Sequence, residues 1–299
     1  MGYGSYSFEA HQALTSARNA LPTQEVFAQR GCHPRMNPLG VQFRESRDSA
    51  DHPNTVSVTF ALDVSGSMGA IPELIARREL PGFMKALLDS GVADPQVLFM
   101  AFQDAAGPDA PLQVGQFEST AELMDQWLTS TWIIGGGYSP YESYDLAMYF
   151  AAHHIKLDSW EKRAKKGYFF MTGDEPCYPS LEPAWVNQII GDTLPAPLPL
   201  AQVVADLERT HHPFFLVPDP ARFASCGAFW QQFLGSRAIA LAAPEDTCAV
   251  AAAIIALSEK AVPTTDALRK RLLDAGESSS RVTRILDTIA PWAKANGIT

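Results

Sequence analysis

The sequence is poor in cysteine, in positive charge and in long apolar runs. Only four cysteines occur in 299 residues (Cys32, Cys177, Cys226 and Cys248), far apart and with no C-x-x-C pair. That spacing excludes a zinc ribbon and a thioredoxin-like redox motif, and it reads as free thiols in a reducing compartment. Lys and Arg total 23 against 33 Asp and Glu, a formal charge of −10. So acidic a chain argues against broad binding to nucleic acid or to an anionic membrane surface. The longest apolar run, Cys248 to Leu257, is about half of what a membrane span needs. The first eleven residues have neither a basic n-region nor an apolar core, so no secretory signal is read and a cytoplasmic location is expected. No G-x-x-x-x-G-K-[ST] string is present, and Gly135–Gly137 lacks G-x-G-x-x-G spacing. Ser65-Gly66-Ser67-Met68-Gly69 is not the G-x-S-x-G of an esterase elbow.

What is present is a strand–helix alternation in a chain that is 46% hydrophobic. Thr55–Leu62 is β-branched and apolar, as a buried central strand should be. A helix over 72–90 follows, with Pro72 in its first turn and Gly91 beyond its end. Strands are predicted over 96–102, 112–117, 166–172, 214–217 and 238–241. Helices are predicted over 119–128 (Ser119 as N-cap), 141–154, 183–191, 199–211, 229–234 and 245–259. This order predicts an α/β fold, a doubly wound and mostly parallel sheet with helices on both faces. Residues 1–53 form an N-terminal arm with a helix over 8–20 and a weakly alternating segment over 41–47 read as an extra edge strand. Residues 54–260 form the main domain, and residues 261–299 two helices packing on it. His153–His154 and His211–His212 are both placed near helix ends, as caps or surface residues.

Ligands of such sheets bind beyond the carboxyl ends of the strands. Three oxygen-rich loops belong there: Asp63-Val64-Ser65-Gly66-Ser67, the 135–143 segment entering a helix, and Thr172-Gly173-Asp174-Glu175. In the first, one carboxylate and two hydroxyls leave a strand within five residues, and Gly66 lets the chain turn. A few oxygen ligands with an open position suit Mg²⁺, which keeps near-octahedral geometry and some of its waters. The plainer alternatives are that Asp63 and Ser65 only cap the following helix and that Gly135–Gly137 is an ordinary turn.

Asp63-Val64-Ser65-Gly66-Ser67-Met68 after an apolar strand resembles the metal-ion-dependent adhesion site of von Willebrand factor A domains, over about residues 54–260. The resemblance implies that Asp63, Ser65 and Ser67 bind Mg²⁺ (or Mn²⁺ or Ca²⁺) and that Asp174 serves as the later-loop aspartate. The family's second-loop threonine is missing. Either Ser139 or Glu142 stands in for it, Glu142 as in the integrin β-subunit I-like domains. Glu175 is read as a neighbouring acid rather than a ligand, and Met68, Tyr138, Tyr141 and Glu175 as partner contacts at the rim.

The implied function is a non-enzymatic protein-interaction module whose ion takes an Asp or Glu from a partner. Intracellular prokaryotic members of the family are frequently paired with MoxR-type AAA+ ATPases, which makes such an ATPase a candidate partner. A structural subunit with a degenerate site and a metal-assisted hydrolase are the alternatives. Residues 56–259 hold 11 Lys and Arg against 24 Asp and Glu, so a partner's acid has to arrive in a basic or neutral surround. Lys162–Lys166 is a basic run read as a solvated face or a docking patch.

Overall fold

The computed structural model describes residues 6–107 and 109–299. Residues 1–5, part of the stretch read above as lacking a signal, lie outside the described residues. The β-branched, apolar segments pair as expected. Strand β1 (Val56–Asp63) lies at the centre, flanked by β2 (Pro95–Phe102) and, further along the chain, by β4 (Gly167–Thr172). Beyond β2 lies β3 (Leu112–Val114). Beyond β4 come β5 (His211–Val217) and β6 (Ala238–Ala240). The order is β6-β5-β4-β1-β2-β3, parallel except for the antiparallel β2–β3 pair. The fold is therefore α/β with a mostly parallel, doubly wound sheet.

Alternate residues of each strand feed separate cores on the two sides, as a sheet covered on both faces requires. Phe60, Phe99, Phe170 and Phe214 pack towards α2 (Leu80–Asp89), α3 (Ala121–Thr129) and α7 (Thr247–Ser258). Ala61, Met100, Phe169 and Phe215 pack towards α4 (Tyr144–His154), α5 (Leu200–Glu208) and α6 (Pro220–Leu234). Helix α1 is Phe8–Asn19, in the N-terminal arm.

The apolar run Cys248–Leu257 proves to be α7, buried on nearly every side. A helix that is apolar all round needs cover on its outer face. The C-terminal helices α8 (Thr265–Asp274) and α9 (Ser279–Ala295) supply it through Leu268, Leu272, Val282, Ile285 and Ile289. Asp246, at the head of α7, accepts from Arg281 Nε at 3.0 Å and from Arg284 Nη2 at 2.9 Å on α9. Among the described residues no helix is long and apolar enough to cross a membrane.

Several local expectations need correction. The predicted edge strand over 41–47 shortens to Arg44–Ser46, and it pairs with Ile155–Leu157 in a separate two-stranded sheet. Its backbone partners are the three residues that follow α4, in parallel register from Arg44 opposite Ile155 to Ser46 opposite Leu157. His211 and His212 do not end a helix: they open β5, because the helix stops at Glu208, and His211 is fully buried. Ser119 does not cap α3. Its hydroxyl is buried without a partner, while the N-cap is Thr120. The predicted 72–90 helix is three contiguous segments, with a wider π turn at Ile75–Glu79 between Ile71–Leu74 and α2. The Lys162–Lys166 run, by contrast, is a solvated face as expected, with Lys162 and Lys165 exposed, and its cations pair within the chain: Lys162 and Arg163 with Asp158 and Asp48, and Lys165 with Glu259.

Candidate metal centre

The chain leaves β1 towards β2 on one side and returns through β4 on the other, so the loops after β1 and β4 diverge from adjacent strand ends. A crevice at this reversal is where open α/β sheets bind ligands. Asp63 is the last residue of β1, and Leu62 is in register with Thr172, the last of β4. Asp63 and Asp174 therefore sit at the same end of neighbouring strands.

The first loop is held open by hydrogen bonds to its own acid. Asp63 Oδ1 accepts from Ser65 N at 2.9 Å, which bends the chain back as in an Asx turn. Ser65 Oγ lies 3.1 Å from Ser67 Oγ, and Ser67 Oγ donates to Asp174 Oδ1 at 2.8 Å. One chain of oxygens thus runs Asp63–Ser65–Ser67–Asp174. The second loop is brought in by backbone contact: Gly66 N donates to Gly136 O at 2.5 Å and Gly135 N to Val64 O at 3.1 Å. A Cβ on Gly66 would lie 2.8 Å from Gly136 N, so the approach requires glycine.

This approach places Glu142 against the first loop. Glu142 is 1% exposed, and its Oε2 is buried without a hydrogen-bond partner. Ser139 faces elsewhere: its hydroxyl accepts from Tyr141 N at 3.1 Å and lies 2.8 Å from Tyr178 Oη. Of the two substitutes for the absent threonine, the structure brings Glu142 to Asp63 and ties Ser139 to Tyr178.

The electrostatics follow from burying like charges together. Burial pushes the Asp63 carboxyl up to about 7, opposed by its bonds from Ser65 and reinforced by Asp174. Glu142 is pushed up to about 10 by burial, then by Asp63, Asp104 and Glu175. Asp174 is raised by burial, while its bond from Ser67 and the Arg222 guanidinium act the other way. Glu175 is raised by burial and by Asp174.

Of the expected rim residues, Tyr138 is exposed and donates to Asp109 Oδ2 at 2.6 Å over the loop after β2. Tyr141 is exposed, with its ring 5.1 Å from that of Tyr178. Met68 is 2% exposed and so does not offer the partner contact expected of it: the turn after Ser67 points it inward.

Sequence reasoning gave no site role to three contributors. Tyr144, at the head of α4, donates from its hydroxyl to Asp63 Oδ2 at 3.2 Å and accepts from Glu175 N at 3.4 Å. Asp104 follows β2 and accepts from Tyr178 Oη at 2.7 Å, while its Oδ2 is buried without a partner. Ser143 accepts from Ala105 N at 2.9 Å, tying the second loop to that same segment. The signals existed: an acid two residues past a strand end, and a tyrosine in the first turn of the helix that the second loop enters.

The donor chemistry suits a hard cation. The cluster offers only oxygens, including an unpartnered carboxylate oxygen on Glu142, and a divalent ion would balance the buried like charges. Among the described residues no three His, Cys, Asp or Glu side chains alone form a metal-holding group, so any such site here depends on the serine hydroxyls as well as the acids.

No protein-family model matches the chain, and no curated protein matches it. Similar solved structures include the pilus adhesin SpaC from Lactobacillus rhamnosus GG in an open conformation, at 10% identity over 76% of this chain and 31% of that one, with a TM-score of 0.40. A second form of the same adhesin matches at 9% identity over 76% and 32%, with a TM-score of 0.42. The chain thus spans about a third of the length of those adhesin chains.

Proposed function

We propose that this chain is a cytoplasmic, non-enzymatic interaction module of the von Willebrand factor A type, which binds a partner's carboxylate through a divalent cation. Asp63, Ser65 and Ser67 would hold the ion, with Glu142 and Asp174 completing the protein's share of ligands. When bound, the ion supplies an electrophilic position for one more anionic oxygen. The chain's own residues do the rest. The Gly66–Gly136 contact brings two loops together, Tyr144 orients Asp63, and Ser67 orients Asp174. Mg²⁺ is the proposed occupant, with Mn²⁺ and Ca²⁺ as alternatives. The partner class is a protein offering Asp or Glu, and a MoxR-type AAA+ ATPase is the candidate that the family resemblance brings.

The observation that carries this reading is that Asp63 and Glu142 are both buried and act on each other, Glu142 also bonding with the Ser65 side chain, while Glu142 Oε2 lacks a partner. Buried like charges need either protons or a cation, and the hydroxyl-rich loop beside them favours the cation. Isothermal titration of Mg²⁺ and Mn²⁺ into the wild type and Asp63→Ala tests it. Binding heat in the wild type that is absent from the variant is expected. No heat with either ion in the wild type would leave a purely structural subunit.

A further inference from the structure

The mouth of this site is acidic, with one exception. Asp63, Glu142, Asp174 and Glu175 converge there, and Asp104 adds to the field on Glu142 and Glu175. Arg222 is the cation that appears among the charges acting on Asp174 and Glu175. It sits in the first turn of α6, which is anchored by Asp219 accepting from Ala221 N at 2.8 Å. Its Nε lies 3.5 Å from Asp174 Oδ2, at the outer limit of a hydrogen bond, and it makes no other ion pair among the described residues. The side chain is 46% exposed against 4% for Asp174. The guanidinium is thus held at the edge of the mouth by one loose contact, on a side chain that is nearly half exposed. Arginine suits a second carboxylate there, because its fork matches carboxylate geometry.

We propose that Arg222 reads the partner, and that the partner segment carries two acidic side chains close in sequence, one for the cation and one for the Arg222 guanidinium. This rests on the metal-dependent reading above and specifies its ligand. Asp174 has two claims on it, Ser67 from the cation side and Arg222 from outside. A cation drawing on Asp174 weakens the second claim and leaves the guanidinium for an incoming acid. The other charges acting on these acids are themselves acidic, so Arg222 marks the position where a second acid is accepted.

The test uses the full chain and two fluorescein-labelled, amidated peptides, Gly-Asp-Gly-Glu-Gly and Gly-Asp-Gly-Gln-Gly. Anisotropy is read at saturating Mg²⁺, and the Mg²⁺ affinity of every variant is measured separately by calorimetry. The two-acid peptide should bind about threefold to tenfold more tightly to the wild type. Arg222→Gln should erase that preference while still binding Mg²⁺, and Arg222→Lys should restore part of it. Equal binding of the two peptides, a preference surviving in Arg222→Gln, or no peptide binding by the Mg²⁺-loaded chain overturns the proposal and leaves cation binding standing. Absence of Mg²⁺ heat in the wild type removes the underlying reading and this inference with it.

Discussion

The Tyr144 hydroxyl occupies the space that a side chain at position 173 would need: a Cβ on Gly173 would lie 2.1 Å from it. The same hydroxyl donates to Asp63 Oδ2 at 3.2 Å. The β4 loop therefore lacks a side chain at the point where the helix of the second loop reaches the aspartate of the first. Two substitutions separate the packing from the hydrogen bond. Tyr144→Phe keeps the ring among Phe102, Phe215 and Trp230 and should cost about 1 kcal/mol of stability, with roughly tenfold weaker cation binding. Gly173→Ala forces the ring aside and should cost about 2 kcal/mol as well as the cation site. Chemical denaturation and calorimetry on both variants check this. Equal cation affinity in Tyr144→Phe and the wild type would remove Tyr144 from the site.

Glu142 and Ser139 make opposite predictions. Glu142→Gln should weaken Mg²⁺ binding by more than tenfold, since it removes a carboxylate beside Asp63. Ser139→Ala should change it by less than twofold, because that hydroxyl is engaged with Tyr178. In EDTA, Glu142→Gln should raise the melting temperature at neutral pH, because the folded chain no longer has to hold a proton on a buried carboxyl that the unfolded chain gives up. The reverse order of cation affinities would return the ligand role to the serine.

Stability without a cation should fall as pH rises. Asp63 and Glu142 have folded-state values raised above the ordinary carboxyl range, to about 7 and about 10. The folded protein then holds protons that the unfolded chain gives up near pH 4, so each group's destabilising contribution grows above that pH until its folded value is reached. Melting temperatures in EDTA should therefore decline from about pH 5 to pH 8, with the pair titrating together. Saturating Mg²⁺ should flatten the decline, and Mg²⁺ binding should release protons in buffers of different ionisation heat. An EDTA profile that rises over this interval would contradict the assignment.

The C-terminal helices should depend on Asp246. This acid is 2% exposed and takes two arginines from α9, each about one-third exposed. Asp246→Ala leaves Arg281 and Arg284 without it and should cost about 2 kcal/mol, reduced from the fully buried case by the arginines' exposure. Pulsed proteolysis should then cut first between α8 and α9. Unchanged denaturation would show that the apolar contacts with α7 suffice.

The strand–helix order and the β1 loop were legible in the sequence because both are local. Apolar β-branched segments announce buried strands, and Asp63-Val64-Ser65-Gly66-Ser67 carries its own turn. The roles of Tyr144, Asp104 and Arg222 were not legible, since each reaches the site from a different element and only the strand order brings those elements together. The Arg44–Ser46 pairing was missed for a similar reason. A three-residue strand has almost no periodicity, and its partner lies more than a hundred residues away. Met68 misled because its place in the motif says nothing about which way the turn points its side chain.

Helix α4 begins beside Glu142 and ends at His154, whose Nδ1 donates to the carbonyls of Val41 at 2.9 Å and Gln42 at 3.1 Å. Its Nε2 lies 2.8 Å from Asp192 Oδ2, and the next three residues pair with Arg44–Ser46. The N-terminal arm and the acidic mouth are thus the two ends of one stiff rod of 11 residues, about 16 Å long. The contacts of residues 41–46 therefore fasten the end of α4 opposite to the one that carries Ser143 and Tyr144.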